Sequence, residues 1–390
     1  MNIELWPERA ETLRAELVAA GKLTSPRWQA AVLAVPRHRF VPEFYRRGSA
    51  GWELVSVLHD DTSEQWWQGV YGNTSLVTRV GTITNGARST SGPTSSSSAP
   101  GLMTRMLEAL DLHDGHRVLE VGTGTGYNAA LMSHRLGDAH VFSVEVDVEL
   151  AAQARRHLAE LGYHPTIVAT DGAYGLPEHA PYDRVIATCA VSRIPWSWAD
   201  QTAEGGLVLA DLKINASIGN LVLLRREPDR LEGRFDPGYA TFMHMRTPTF
   251  EADPPPMPVR DHRDAERRST TLMTERVWEN APLWFLLHLR EPGRVDFGYS
   301  MDPTTGDPGL VYFASSDGSW CELTAERDGT RTVWEGGPRR LWASIEAATE
   351  FWDRHGKPHW DRFGLTARSA DSQTVWLDDP DDKNRWSIAD

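Results

Sequence analysis

Val118-Leu-Glu-Val-Gly-Thr-Gly-Thr-Gly-Tyr127 is an apolar run that ends in Glu120 and continues into Gly122, Gly124 and Gly126. Alternate glycines let a backbone turn tightly and approach a ligand with no Cβ in the way. A nicotinamide-binding turn spaces its glycines GxGxxG and sets a pyrophosphate on the next helix N-terminus. Here the pattern is ExGxGxG. A carboxylate at the strand end repels a pyrophosphate and suits a cofactor carrying an ammonium and a sulfonium. Thr123 and Tyr127 lie inside the turn and join Glu120 and the three glycines as candidate cofactor contacts.

Working outward, a helix is expected over 102–110 and strands over 117–121, 140–145, 165–169, 183–188 and 206–210. Helices are expected over 127–136 and 148–161. Strands alternating with helices at this spacing define a doubly wound α/β unit with a mainly parallel sheet. Asn220–Leu224 and Tyr239–Met245 are expected to complete that sheet. Glu145 closes the strand Val141-Phe-Ser-Val-Glu145, near the spacing of about 20 residues for an acid that bonds ribose hydroxyls. Asp171-Gly172 follow the third strand, where a short acid can meet an adenine amino group. Acids at successive strand ends, beside a glycine turn, belong to the switch point of an open α/β sheet.

The flanks have other textures. Residues 8–20 and 26–35 read as helices, with Leu13, Leu17 and Ala20 on one face of the first. Residues 1–85 are expected to be a helical, aromatic-rich segment packing on the catalytic unit of 86–250. Within 85–101 the composition turns rich in Ser, Gly and Pro, which on composition alone predicts a flexible loop or linker. Residues 251–258, rich in proline, predict a stiff linker, and 259–390 a smaller C-terminal α+β domain. There Leu283–Leu289, Leu310–Phe313, Trp320–Leu323, Thr332–Trp334 and Thr374–Leu377 read as strands. Pro338 to about His355 reads as a helix stopped by Gly356. Trp66-Trp67, Trp196 and Trp198 are read as packing residues, His38 and His59 as structural or solvated, and Arg339-Arg340 as a surface pair.

The chain has 390 residues and a formal net charge of −14, so broad attraction for nucleic acid or anionic membrane is not expected. Cys189 and Cys321 stand far apart in no metal-ligand spacing, so neither a disulfide framework nor a metal site is expected. Charges interrupt the apolar residues from Glu4 to Leu23, and no stretch approaches the ~18 apolar residues of a membrane span. The expectation is a cytoplasmic protein.

Several spaced motifs occur in order: Ser98-Ala99-Pro100 before a helix around Met103, Leu119–Ala129, Asp171-Gly172, Ala180-Pro-Tyr-Asp183, and Pro195 with Gln201 and Gly205-Gly206. Together, over about residues 10–245, they resemble the protein-L-isoaspartate O-methyltransferase family. The resemblance implies a class I methyltransferase fold and S-adenosylmethionine as cofactor. It also implies a Ser-x-Pro segment arching over the cofactor's methyl group, with Ser98 and its neighbour Ser97 as catalytic candidates. Ser95-Ser-Ser-Ser98, Gly122–Ala130, Ala187-Thr-Cys-Ala-Val191, Gly336–Trp342 and Phe363-Gly-Leu-Thr366 are similar to one branch, the methyltransferases of ATP-grasp peptide maturase systems. That branch acts on ribosomal peptides cross-linked by side-chain esters or amides (graspetides). The family's repair members usually stop where the proline-rich stretch begins. The implied activity is therefore esterification of an Asp side chain in a cross-linked precursor peptide, leading to an aspartimide, with the C-terminal domain recognising the peptide. Isoaspartate repair and a non-catalytic peptide-binding scaffold are the alternatives.

Overall fold

The computed structural model describes residues 5–388 apart from 60, 86–87, 216–217, 247–259, 273–276, 292, 302–307 and 325–329. The proline-rich linker and the domain boundary expected there lie outside the described residues. Helices α1 (Trp6–Ala19) and α2 (Pro26–Ala34) bury Leu13, Leu17, Trp28, Ala31 and Val32. Strands β1 (Glu43–Arg47) and β2 (Trp52–Ser56), helix α3 (Ser63–Val70), and strands β3 (Leu76–Asn85) and β4 (Arg88–Ser97) follow. The four strands form an antiparallel sheet in the order β2-β1-β3-β4. As expected, Trp66 and Trp67 are core residues, and His38 sits among them bonded to Tyr71 Oη at 2.7 Å.

The serine-rich stretch is not a loop. It is β4, paired along β3 from Leu76↔Ser97 to Asn85↔Arg88. Composition reports intrinsic propensity, but the ladder depends on a partner, and β3 supplies one, with Val77 opposite Ser96 and Val80 opposite Pro93. Ser95 and Ser97 are buried while Ser96 and Ser98 are half-buried, the two-residue alternation of a strand. The boundary expected at residue 85 therefore runs through a hairpin.

Helix α4 (Pro100–Ala109) leads into β5 (Val118–Val121), α5 (Tyr127–Leu136), β6 (Val141–Glu145), α6 (Val148–Glu160), β7 (Thr166–Ala169), β8 (Tyr182–Val191), α7 (Trp196–Gln201) and β9 (Thr202–Asn215). These five strands are parallel and lie in the order β7-β6-β5-β8-β9. The chain winds outward from β5 to β7 and returns to the other side of β5, so a crevice opens between the C-terminal ends of β5 and β8. Beyond β9 the sheet becomes antiparallel, through β10 (Ile218–Glu227) and β11 (Arg230–Phe235). The expected strand 239–245 is irregular, joined to the sheet by a single bridge, Ala190↔His244. The two residues between Glu227 and Arg230 close a hairpin, which puts β11 in the sheet position expected of 239–245.

The C-terminal region contributes β12 (Glu266–Thr270), α8 (Ala281–Arg290), β13 (Val295–Met301), β14 (Pro308–Ser315), β15 (Trp320–Thr324), β16 (Arg331–Gly336), α9 (Leu341–Arg354), β17 (Phe363–Ala367), β18 (Gln373–Leu377) and β19 (Arg385–Ser387). The strand expected at Leu283–Leu289 is helix α8, capped by the Asn280 side chain accepting from Leu283 N at 3.3 Å. An apolar run buried on every side has no readable period. Trp284 packs at 5.9 Å from Phe313 of the five-stranded sheet β12-β16-β15-β14-β13, while Phe285 packs 5.2 Å from Phe235 of the long sheet. Strand β17 pairs with β11, so β17, β18 and β19 extend the long sheet rather than belonging to a separate unit. Arg339 is not a free surface residue, because it bonds Glu291, Asp317 and Ser315. Arg340 pairs with Glu266.

Candidate active site

A cavity of about 1250 Å3 lies between the β3–β4 hairpin and the strand ends, lined among others by Ser98, Met103, Gly124, Glu145, Gly172 and Met245. Its floor is the glycine turn. Gly122 sits at φ +99°, and a Cβ there would lie 2.8 Å from Thr188 Oγ1, whose hydroxyl donates to Gly122 O at 2.6 Å. This contact joins β5 to β8 at the switch point. Gly124 sits at φ +53° with Ser96 O as the nearest atom to an added Cβ, at 3.7 Å. The roof thus passes close over the bare backbone of the turn. Gly126 ends the turn as the N-cap of α5.

The acids behave differently from one another. Glu120 is fully buried, with Oε1 accepting from Asn128 Nδ2 at 2.7 Å and Oε2 from Ser143 Oγ at 2.6 Å. Burial pushes its pKa up to about 7 against those two hydrogen bonds. Ser143 Oγ also lies 2.6 Å from Thr123 Oγ1, so Thr123 belongs to the same internal network. Glu120 therefore holds the turn from inside, with both oxygens already engaged by the protein. Glu145 ends β6, accepts from Gly124 N at 3.0 Å and Asp147 N at 3.1 Å, and has Arg246 Nη2 at 3.8 Å. Asp171 accepts from Ala173 N at 2.9 Å, which turns the chain so that Gly172 lines the cavity. Trp198 Nε1 donates to Gly172 O at 2.8 Å and fixes that turn from beneath.

Tyr127 is buried beside Phe40, ring centroids 5.7 Å apart, and burial raises its pKa to about 12. The two catalytic candidates differ in setting. Ser97 is buried and its Oγ accepts from Arg37 Nη2 at 3.3 Å, whereas Ser98 is half-buried, one residue beyond the last ladder pair. Cys189 lines the same cavity, but burial raises its thiol pKa and keeps it protonated at neutral pH.

Motif reading missed the segment 242–246, which forms one wall. Phe242 N donates to Asp211 Oδ2 at 2.8 Å, Lys213 Nζ donates to Phe242 O, and Ala190 bonds Met243 O at 2.8 Å and Met245 N at 2.7 Å. Neither the irregular backbone nor the distant Asp211 carries a sequence period that could have announced this. Asn128 was legible inside the glycine motif, while Arg246 had no local signal. Among the described residues, no group of three or more His, Cys, Asp or Glu could hold a metal, and no helix is long and apolar enough to cross a membrane.

The cradle fits S-adenosylmethionine: backbone left bare at Gly124, the acid Glu145 at the end of β6, and the serine strand passing over the turn. Fold and site together define a class I S-adenosylmethionine-dependent methyltransferase. A family model described as protein-L-isoaspartate(D-aspartate) O-methyltransferase matches residues 82–231. A protein-L-isoaspartate O-methyltransferase of Ignicoccus hospitalis is 34% identical over 204 residues, 52% of this chain and 81% of the relative. That of Hyperthermus butylicus is 32% identical over 241 residues, 59% of this chain and 86% of the relative. The chain belongs to the protein-L-isoaspartate O-methyltransferase family. It spans 60% of the length of a 35%-identical relative from Methanosarcina mazei. A solved structure titled protein-L-isoaspartate O-methyltransferase has a similar fold over 94% of this chain and 99% of its own, with TM-score 0.53 and 23% identity. The fold of the region beyond the proline-rich stretch thus has a counterpart in a solved structure of that title.

Proposed function

We propose that this chain esterifies the side-chain carboxylate of an aspartyl residue in a peptide constrained by side-chain cross-links. The observation that carries the transfer chemistry is the end of the serine strand lying over the glycine turn, with Ser96 O 3.7 Å from the Cβ position of Gly124. S-adenosylmethionine supplies a methyl group on a sulfonium. A carboxylate is ionised at neutral pH and attacks such a methyl without a strong base. The protein's work is positioning and exclusion of water: Ser98 orients the carboxylate, Glu145 and Gly172 flank the adenosine, and Met103 and Met245 close apolar walls. The cavity of about 1250 Å3 has room for the cofactor and an acceptor side chain together. The likeness of 95–98, 336–342 and 363–366 to the peptide-maturation branch supports the same acceptor. Attack of the following backbone nitrogen on the new ester expels methanol and leaves an aspartimide.

A second reading, repair of isoaspartyl residues, is favoured by the relatives' names and by their fold. Mass spectrometry separates the two. The chain is incubated with S-adenosylmethionine and a cross-linked peptide bearing a free Asp, its linear form, or an isoaspartyl peptide. Methyl gain and methanol loss confined to the cross-linked peptide support maturation. Turnover of the isoaspartyl peptide alone assigns repair, and equal methylation of the linear form removes the cross-link from the recognition.

A further inference from the structure

Arg37 is fully buried, and among the described residues no carboxylate pairs with it. Its guanidinium meets oxygen acceptors from two separate parts of the chain. Nη1 donates to Val70 O at 2.8 Å and Gly72 O at 3.2 Å, and Nη2 to Thr74 O at 3.3 Å. On the other side Nη2 donates to Ser98 O at 3.0 Å, Ser97 O at 3.4 Å and Ser97 Oγ at 3.3 Å. The Tyr127 ring, first residue of the helix after the glycine turn, lies 5.9 Å from Cζ. A buried cation without a counter-ion is costly and persists only where fixed dipoles replace water. A planar fork of donors suits such a set of carbonyls, and an ammonium does not reproduce it.

The place of these contacts gives them a use. The β3–β4 ladder ends at Leu76↔Ser97, so Ser98 has no strand partner, and α4 begins only at Pro100. Ser98 O is held instead by Arg37, at the one residue where the roof leaves the sheet above the cofactor cradle. Gly101 N, bonded to Asn73 Oδ1 at 2.8 Å, ties the start of α4 to the same 70–74 loop that Arg37 grips. We propose that Arg37 is a positioning residue for methyl transfer: it fixes the backbone of Ser97 and Ser98 and so aims the Ser98 hydroxyl at the acceptor carboxylate. The inference rests on the functional reading above. Burial pulls the guanidinium pKa down to about 10, which leaves it charged at working pH.

The test is a kinetic double-mutant cycle of Arg37→Lys and Ser98→Ala, on whichever peptide the wild-type chain methylates. Thermal melting and calorimetric titration with S-adenosylmethionine run alongside. A displacement of about 1 Å costs on the order of 10²-fold in rate. Arg37→Lys is expected to lose at least about tenfold in kcat, with KM for the peptide and Kd for the cofactor changed by less than roughly threefold. In the Ser98→Ala background the same substitution is expected to change kcat little, because the hydroxyl it aims is gone. Ser97→Ala, which removes one acceptor and keeps the guanidinium, covers the case of an unfolded Arg37→Lys. It is expected to lower kcat less, again without adding to Ser98→Ala. Full kcat in an Arg37→Lys variant that folds, or multiplicative losses in the cycle, overturns the inference while leaving the functional reading intact. A wild-type chain that binds the cofactor but methylates none of the peptides overturns both.

Discussion

Arg79 Nη1 lies 2.6 Å from Asp147 Oδ2, and its Nη2 lies 3.1 Å from Glu149 Oε2, so the roof hairpin is bolted to the first turn of α6 across the cavity. Asp147 is at the same time the N-cap of α6, accepting from Glu149 N and Leu150 N. Ion pairs at this exposure contribute about 0–1 kcal/mol to global stability. Their effect on the roof is local. Arg79→Ala is expected to leave the melting temperature within about 2 °C and to speed cofactor release several-fold, read by stopped-flow displacement. An unchanged release rate would show that the roof is held without this ion pair.

Glu120 links the site to pH. Its folded-state pKa, raised by burial from 4.5 to about 7, means the folded chain binds this proton more tightly than the unfolded chain. The stability it contributes is full below pH 4.5 and is lost as pH rises through 7. Asp211, raised by burial to about 6, adds a slope of the same sign. Glu120→Gln should therefore flatten, without abolishing, the fall in stability between pH 5 and 7 (urea denaturation at roughly half-unit steps). Identical profiles for variant and wild type would place the Glu120 proton elsewhere.

The two central glycines separate folding from binding. An alanine at Gly124 takes a left-handed conformation costing about 1–2 kcal/mol, with Ser96 O at an ordinary contact distance of 3.7 Å from its Cβ. Gly124→Ala is expected to fold and to bind S-adenosylmethionine at least about tenfold more weakly, because the methyl occupies the cradle. Gly122→Ala adds a 2.8 Å clash with Thr188 Oγ1 and should lose more stability than Gly124→Ala. Chemical denaturation and calorimetry on the pair decide it, and cofactor affinity retained in Gly124→Ala would refute the cradle.

Truncation at residue 258 removes more than an appendage. It strips β17 from β11, where Leu231 to Arg234 pair with Ala367 to Gly364, and takes Phe285 and Trp360 away from the buried Phe235. An edge strand beside an uncovered aromatic core invites self-association. The fragment 1–258 should elute from size exclusion as aggregates or oligomers. A monomeric, cooperatively folding fragment would mean the parallel half of the sheet is self-sufficient.

The sequence alone determined the parallel half of the fold and the residues of its glycine turn, because both rest on local chemistry. Strand–helix alternation is a short-range period, and glycines at 122, 124 and 126 meet a backbone demand that operates within three peptide units. It determined the positions of Glu145 and Gly172 at strand ends for the same reason. Only the tertiary structure decided that the serine run is a strand, since the order of Ser95 to Ser97 comes from pairing with residues 16 to 21 positions away rather than from its own propensity. Only the tertiary structure turned Leu283–Leu289 into a helix, because a segment buried against two sheets hides the period that would reveal it. It likewise joined β17 to β11, set Glu120 facing Asn128 and Ser143, and brought Arg37, sixty residues upstream of Ser97, beneath the roof of the site. Contacts between distant segments depend on which surfaces the folded chain leaves to bury, and no local pattern encodes that.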